Sequence, residues 1–146
     1  MRKQYLIGLA VAAIAAYFGT NEFSVANVIS VSAAAEPGYA PQVSNERQIK
    51  ITATMQNIAK EAKAWDFEVS LETHIQPMND DLAKSAVLIA GGKQYLPLGW
   101  EGSLPGGHHR KGKLSFNAIV PKPASVELQI RLIGDPSPRT FKWQVN

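Results

Sequence analysis

Trp65-Asp66-Phe67-Glu68-Val69-Ser70-Leu71-Glu72 is the stretch that decides the fold. Large apolar side chains stand at every second position, and acidic or hydroxyl residues fill the places between them. A strand sends successive side chains to opposite faces, so this period of two marks a strand with one dry face and one wet face.

The same pattern recurs on both sides of it. Upstream, Ile49, Ile51, Ala53 and Met55 alternate with Lys50, Thr52 and Thr54. Downstream, Leu114, Phe116, Ala118 and Val120 alternate with Ser115 and Asn117. Val126, Leu128, Ile130 and Leu132 alternate with Glu127, Gln129 and Arg131, and Phe141, Trp143 and Val145 alternate with Lys142 and Gln144. An apolar run, Ala86 to Ala90, meets Gly91-Gly92 and continues into Tyr95, Leu96, Leu98 and Trp100, which reads as a hairpin. Gln56 to Ala64 has poor helical spacing and is read as a turn.

Six to seven short strands separated by Gly/Pro turns predict an all-β fold, an antiparallel immunoglobulin-like β-sandwich, with a barrel as the alternative. The shared parity places Phe67, Val69, Leu71, Val87, Leu114, Phe116, Leu128, Ile130, Phe141 and Trp143 in the core. Trp65 and Trp143 follow core parity, whereas Trp100 is expected to be partly exposed.

The first residues read differently. Arg2-Lys3 is a basic start, and Tyr5 to Phe18 is an almost unbroken apolar run, shorter than the ~20 residues a spanning helix needs. Residues 1–35 are therefore expected to be a signal peptide, or a short membrane anchor helix with its linker. Cleavage is expected after Ala26 or Ala35. Residues 36–46, with Pro37, Gly38 and Pro41, read as an irregular lead-in, and 47–146 as the domain. This order predicts an exported protein in the periplasm, on the cell surface or outside the cell. It would meet a membrane only through the N-terminal segment, if that stays uncleaved.

The chain has no cysteine, which excludes disulfides, iron–sulfur clusters and thiolate metal sites. A formal charge of +3, without a basic helix or an aromatic-interleaved basic patch, argues against nucleic acid as a partner.

From Trp65 onward the chain resembles a type of uncharacterised exported or surface β-sandwich domain of bacteria and archaea. The matching stretches are WDFEVSLETH (residues 65–74), DDLAKSAVLI (80–89), YLPLGWEGSLPGGHHRKGKLSF (95–116) and RTFKWQV (139–145). The resemblance implies an immunoglobulin-like fold and an extracytoplasmic location, and it implies no activity.

All three histidines, His74, His108 and His109, fall in those stretches. The sharper reading is a metal site in which these imidazoles bind zinc or copper(II), with Glu72 or Glu101 as further ligand or outer partner. The plainer and preferred reading is that His74 caps a strand end while His108 and His109 pin a loop after the flexible Pro105-Gly106-Gly107 turn. The basic run Arg110, Lys111, Lys113, with Trp100 beside it, would hold an anion or a glycan. Its plainer reading is a solvated loop. Asp80-Asp81 suits a turn or a strand start. No serine sits in a nucleophile elbow and no base has an evident orienting partner, so no catalytic residue is assigned. The expectation is a non-catalytic exported module that binds or scaffolds at the cell envelope, with an envelope protein or a glycan as partner and no cofactor. The alternative is a histidine-based zinc or copper protein.

Overall fold

The alternation at residues 65–72 becomes β3 (Ala64–Thr73), the middle strand of a five-stranded antiparallel sheet. The computed structural model describes residues 39–56, 58–59 and 61–145. The expected leader, residues 1–35, lies outside the described residues, as does the start of the lead-in.

In the first sheet β1 (Gln42–Glu46), β2 (Ile49–Met55), β3, β7 (His109–Asn117) and β6 (Gly99–Gly102) lie side by side in that order. The second, four-stranded sheet has the order β5 (Lys93–Tyr95), β4 (Ala86–Ala90), β8 (Ser125–Ile130), β9 (Arg139–Gln144). A single helical turn, α1 (Leu82–Ser85), precedes β4, with Asp81 capping it by accepting from the Ala83 amide at 3.1 Å. The fold is all-β, built from two antiparallel sheets.

Register explains the core. Met55 pairs with Phe67, Phe67 with Leu114, and Trp65 with Phe116 in one sheet; Leu88 pairs with Leu128, and Leu128 with Phe141, in the other. The two dry faces contribute to one cluster of buried side chains. Phe67 meets Phe116 edge-on and Trp143 at a tilt, each with ring centres 5.5 Å apart, so an aromatic contact joins the sheets. Burying each such side chain stabilises the fold by about 1.5–3 kcal/mol.

Four sequence expectations are corrected. Val87 lies on the outer face of β4, and Ala86, Leu88 and Ala90 face the core instead. In an all-apolar run, parity cannot be read from the strand itself. Residues 42–46 of the supposed irregular lead-in form β1, an edge strand that returns through Arg47 and Gln48 at φ 51° and 60°. Such a turn favours Asn or Gly, so these residues give no turn signal. The segment from Tyr95 to Trp100 is not one strand. Pro97 interrupts it, β5 stays in the four-stranded sheet and β6 joins the other, with Leu96 and Leu98 exposed between them. Finally, β7 ends at Asn117, which leaves Val120 in solvent and Ile119 buried. The described residues therefore hold nine strands, where six to seven were expected.

Candidate functional site

β7 begins earlier than its apolar residues announce. Arg110 and Gly112 continue the inward parity of Leu114 and Phe116, opposite Leu71 and Val69 of β3. Arg110 is consequently 2 % exposed. The expectation that it lies in a solvated loop and contacts an anion or glycan is corrected: its guanidinium is enclosed. It donates through Nη1 to the carbonyls of Asp80 at 2.7 Å and Met78 at 3.3 Å, and through Nη2 to that of Ser103 at 3.3 Å. Its Nε has no hydrogen-bond partner among the described residues. The Trp100 ring lies 5.9 Å from the guanidinium carbon. Burial pulls the guanidinium below its ordinary value, and the charges of Asp80 and Asp81 oppose that only in part.

Those carbonyls belong to two segments that β7 brings together, residues 74–80 and 103–108. The backbone ties them further. The Thr73 amide donates to His108 at 2.9 Å, Met78 to Gly107 at 3.0 Å, and Gly106 to Met78 at 2.8 Å. Gly106 and Gly107 have φ of 106° and 73°, conformations that exclude most side chains. Ser103 is a hub. It exchanges bonds with Lys111 through both its amide and its hydroxyl, and its carbonyl also accepts from the Trp100 indole at 3.0 Å. The Trp100 ring fills the space over Gly102 and Gly112, where a Cβ on Gly112 would come within 2.6 Å of it. Trp100 is thus half-buried, and one ring face is occupied by structure.

The other cations of the basic run lie on the outer face of the sheet and are paired. Lys111 meets Glu68 at 2.7 Å, and Lys113 meets Asp66 at 3.1 Å and Glu101 at 3.5 Å. The bond and charge of Asp66, with help from Glu101, hold the Lys113 ammonium above its ordinary value. Glu101 therefore serves Lys113.

The histidines divide. His109 opens β7 opposite Glu72, and His74 lies just past β3 on the parity of Glu72. Both are exposed, and their rings stand edge to face with centres 6.1 Å apart. His108 lies in the bend just before β7, exposed, with its carbonyl accepting from the Thr73 amide, and its ring is not part of the His74–His109 contact. Among the described residues no group of three or more His, Asp or Glu side chains is placed to hold a metal ion, so the three histidines do not converge as a set. Glu72 lies beside the pair and is bound to Lys50 at 2.5 Å. That bond and charge hold its carboxyl below the ordinary carboxylate range, and the two histidines add smaller contributions.

Sequence reading missed Ser103 and a second buried cluster, and gave Asp80 a turn or strand start without its burial. Asp80 is buried and accepts from the Ile133 amide at 2.6 Å. Arg139, also buried, is held by Asp135. The one available signal was an arginine on inward parity at the start of each strand. At the opposite end of the first sheet, Ile58, Ala59, Trp65, Ile119 and Val120 help line an apolar cleft of 370 Å³.

No family model, no curated protein and no solved structure matches this chain.

Proposed function

We propose that this chain is a non-catalytic exported module, an immunoglobulin-like β-sandwich, that binds a protein or glycan of the cell envelope through the end formed by residues 74–80 and 103–108. One observation carries the reading: the two segments are pre-shaped by one another and by the enclosed Arg110. Ordering a loop before it meets its partner removes part of the entropy cost of binding, and loops fixed on a rigid sheet are where binding residues gather. Each segment also holds one large apolar side chain out in solvent, Ile75 and Leu104. Two antiparallel sheets around a common core suit the sandwich arrangement. Export is supported by the basic start and the Tyr5–Phe18 run. The pairing of Lys111 and Lys113 with carboxylates favours a structural role for these cations over a catalytic one.

The test is fractionation of the source cell, followed by co-sedimentation of the purified protein with its isolated envelope. The protein is expected in the extracytoplasmic fractions and in the envelope pellet, with Ile75→Asp/Leu104→Asp leaving the pellet while melting as the wild type does. Full-length protein in the soluble cytoplasm, or a double variant that still pellets, contradicts the reading.

A further inference from the structure

His74 and His109 owe their proximity to the register. His109 stands directly across from Glu72, and His74 lies two residues beyond Glu72, just past β3, so the two histidines are diagonal neighbours at the end of the β3–β7 ladder. Diagonal positions on one face of an antiparallel pair are within reach of aromatic side chains. The ring centres are 6.1 Å apart. Two imidazoles on one ion, with bonds near 2.0–2.1 Å, bring their ring centres to about 5 Å in a tetrahedral arrangement. Both side chains are exposed, so their rings are free to turn toward a common ion. A shallow cleft of 300 Å³, lined by Asn45, Gln48, Lys50, Glu72 and His74, opens on the His74 side of the pair and has room for water. The Glu72 carboxylate stands near both rings and offers negative charge or an acceptor for a ring N–H.

We propose that His74 and His109 chelate a divalent transition ion of the zinc and copper(II) kind on the outer face of the five-stranded sheet, with water completing the coordination. Imidazole nitrogen suits these ions, and a two-ligand site on a preformed sheet is open to solvent on its remaining positions. His108 takes no part. The site stands independently of the envelope reading, because it is assayed on purified protein with the metal alone.

The experiment titrates the purified full chain with Zn²⁺ and with Cu²⁺ against a competing chelator, and records the copper EPR spectrum. Wild type is expected to bind one equivalent of each, with two equatorial nitrogens on copper. His74→Ala and His109→Ala are each expected to weaken binding by at least the roughly 10–100-fold that loss of even an outer partner costs, leaving one nitrogen. His108→Ala should bind as wild type. Melting curves show that the variants remain folded. Absence of binding in wild type overturns the inference. So does an ion that survives His74→Ala and is lost with His108→Ala, because the adjacent histidines would then hold it.

Discussion

Among the described residues arginine is enclosed at two places, and the two are satisfied differently. Arg139, 1 % exposed, grips Asp135 with two bonds, Nε to Oδ2 at 2.9 Å and Nη2 to Oδ1 at 3.2 Å, and donates further to the carbonyls of Ile49 and Glu46. It staples the β1–β2 turn to the segment before β9, and its charge is matched within one residue pair. Arg110 binds three carbonyls, has an orphaned Nε and, among the described residues, makes no ion pair with a carboxylate. A buried charge without a counter-ion in contact is costly, and burial lowers this guanidinium accordingly. Proteins break such rules chiefly where shape serves function. The Arg139 cluster reads as a stability device. The Arg110 cluster reads as a device that shapes the end of the molecule.

Removing the matched carboxylate should have the largest effect. Asp135→Ala leaves Arg139 buried and uncompensated, and urea denaturation should show a loss of about 3–5 kcal/mol. Arg110→Met, which keeps much of the volume and removes the buried charge, should cost less, about 1–3 kcal/mol, because the Asp80 carbonyl loses its donor while those of Met78 and Ser103 keep the Gly106 amide and the Trp100 indole. Equal losses in the two variants would erase the distinction. Gly112→Ala sharpens it from the side of packing. Its Cβ would lie 2.4 Å from the Glu101 carbonyl and 2.6 Å from the Trp100 ring. The ring over which Arg110 lies must then shift, at about 1–3 kcal/mol, with a change in tryptophan fluorescence.

Surface pairs set the lower end of the scale. Lys142 and Gln129 hold the Glu127 carboxyl below its ordinary 4.5. The stability this contact contributes is complete above pH 4.5 and is lost as pH falls through the depressed folded value. Acid titration of stability should therefore be flatter in Glu127→Gln, by less than about 1 kcal/mol. Lys111→Ala, which opens the exposed contact with Glu68, should be smaller still and vanish in high salt.

The strands with apolar residues on one face only, such as β3 and β9, were legible because water on the other side enforces a period of two. β4 was legible as a strand but not in its facing, since Val87 and Leu88 are equally apolar. The start of β7 was hidden because its inward positions are Arg110 and Gly112. An arginine facing inward is recognisable only when its partners are known, and those are carbonyls up to 32 residues away. For the same reason the histidine pair was half legible. The sequence offered three candidates, and only register separates His74 and His109 from His108. β1 was invisible because an edge strand with one apolar residue, Val43, carries no alternation.

Hydrogen exchange in the full chain tests the central claim, that Arg110 pre-shapes the end formed by residues 74–80 and 103–108. The amides of Thr73, Met78 and Gly106 report the ties between those segments, and that of Ala118, bonded to the Lys63 carbonyl at 2.9 Å, reports the opposite end of the same sheet. All four are expected to be protected in the wild type. In Arg110→Met the first three should lose protection while Ala118 keeps it. Amides of Met78 and Gly106 that exchange as freely as an open chain in the wild type, or that stay protected in Arg110→Met, would contradict it.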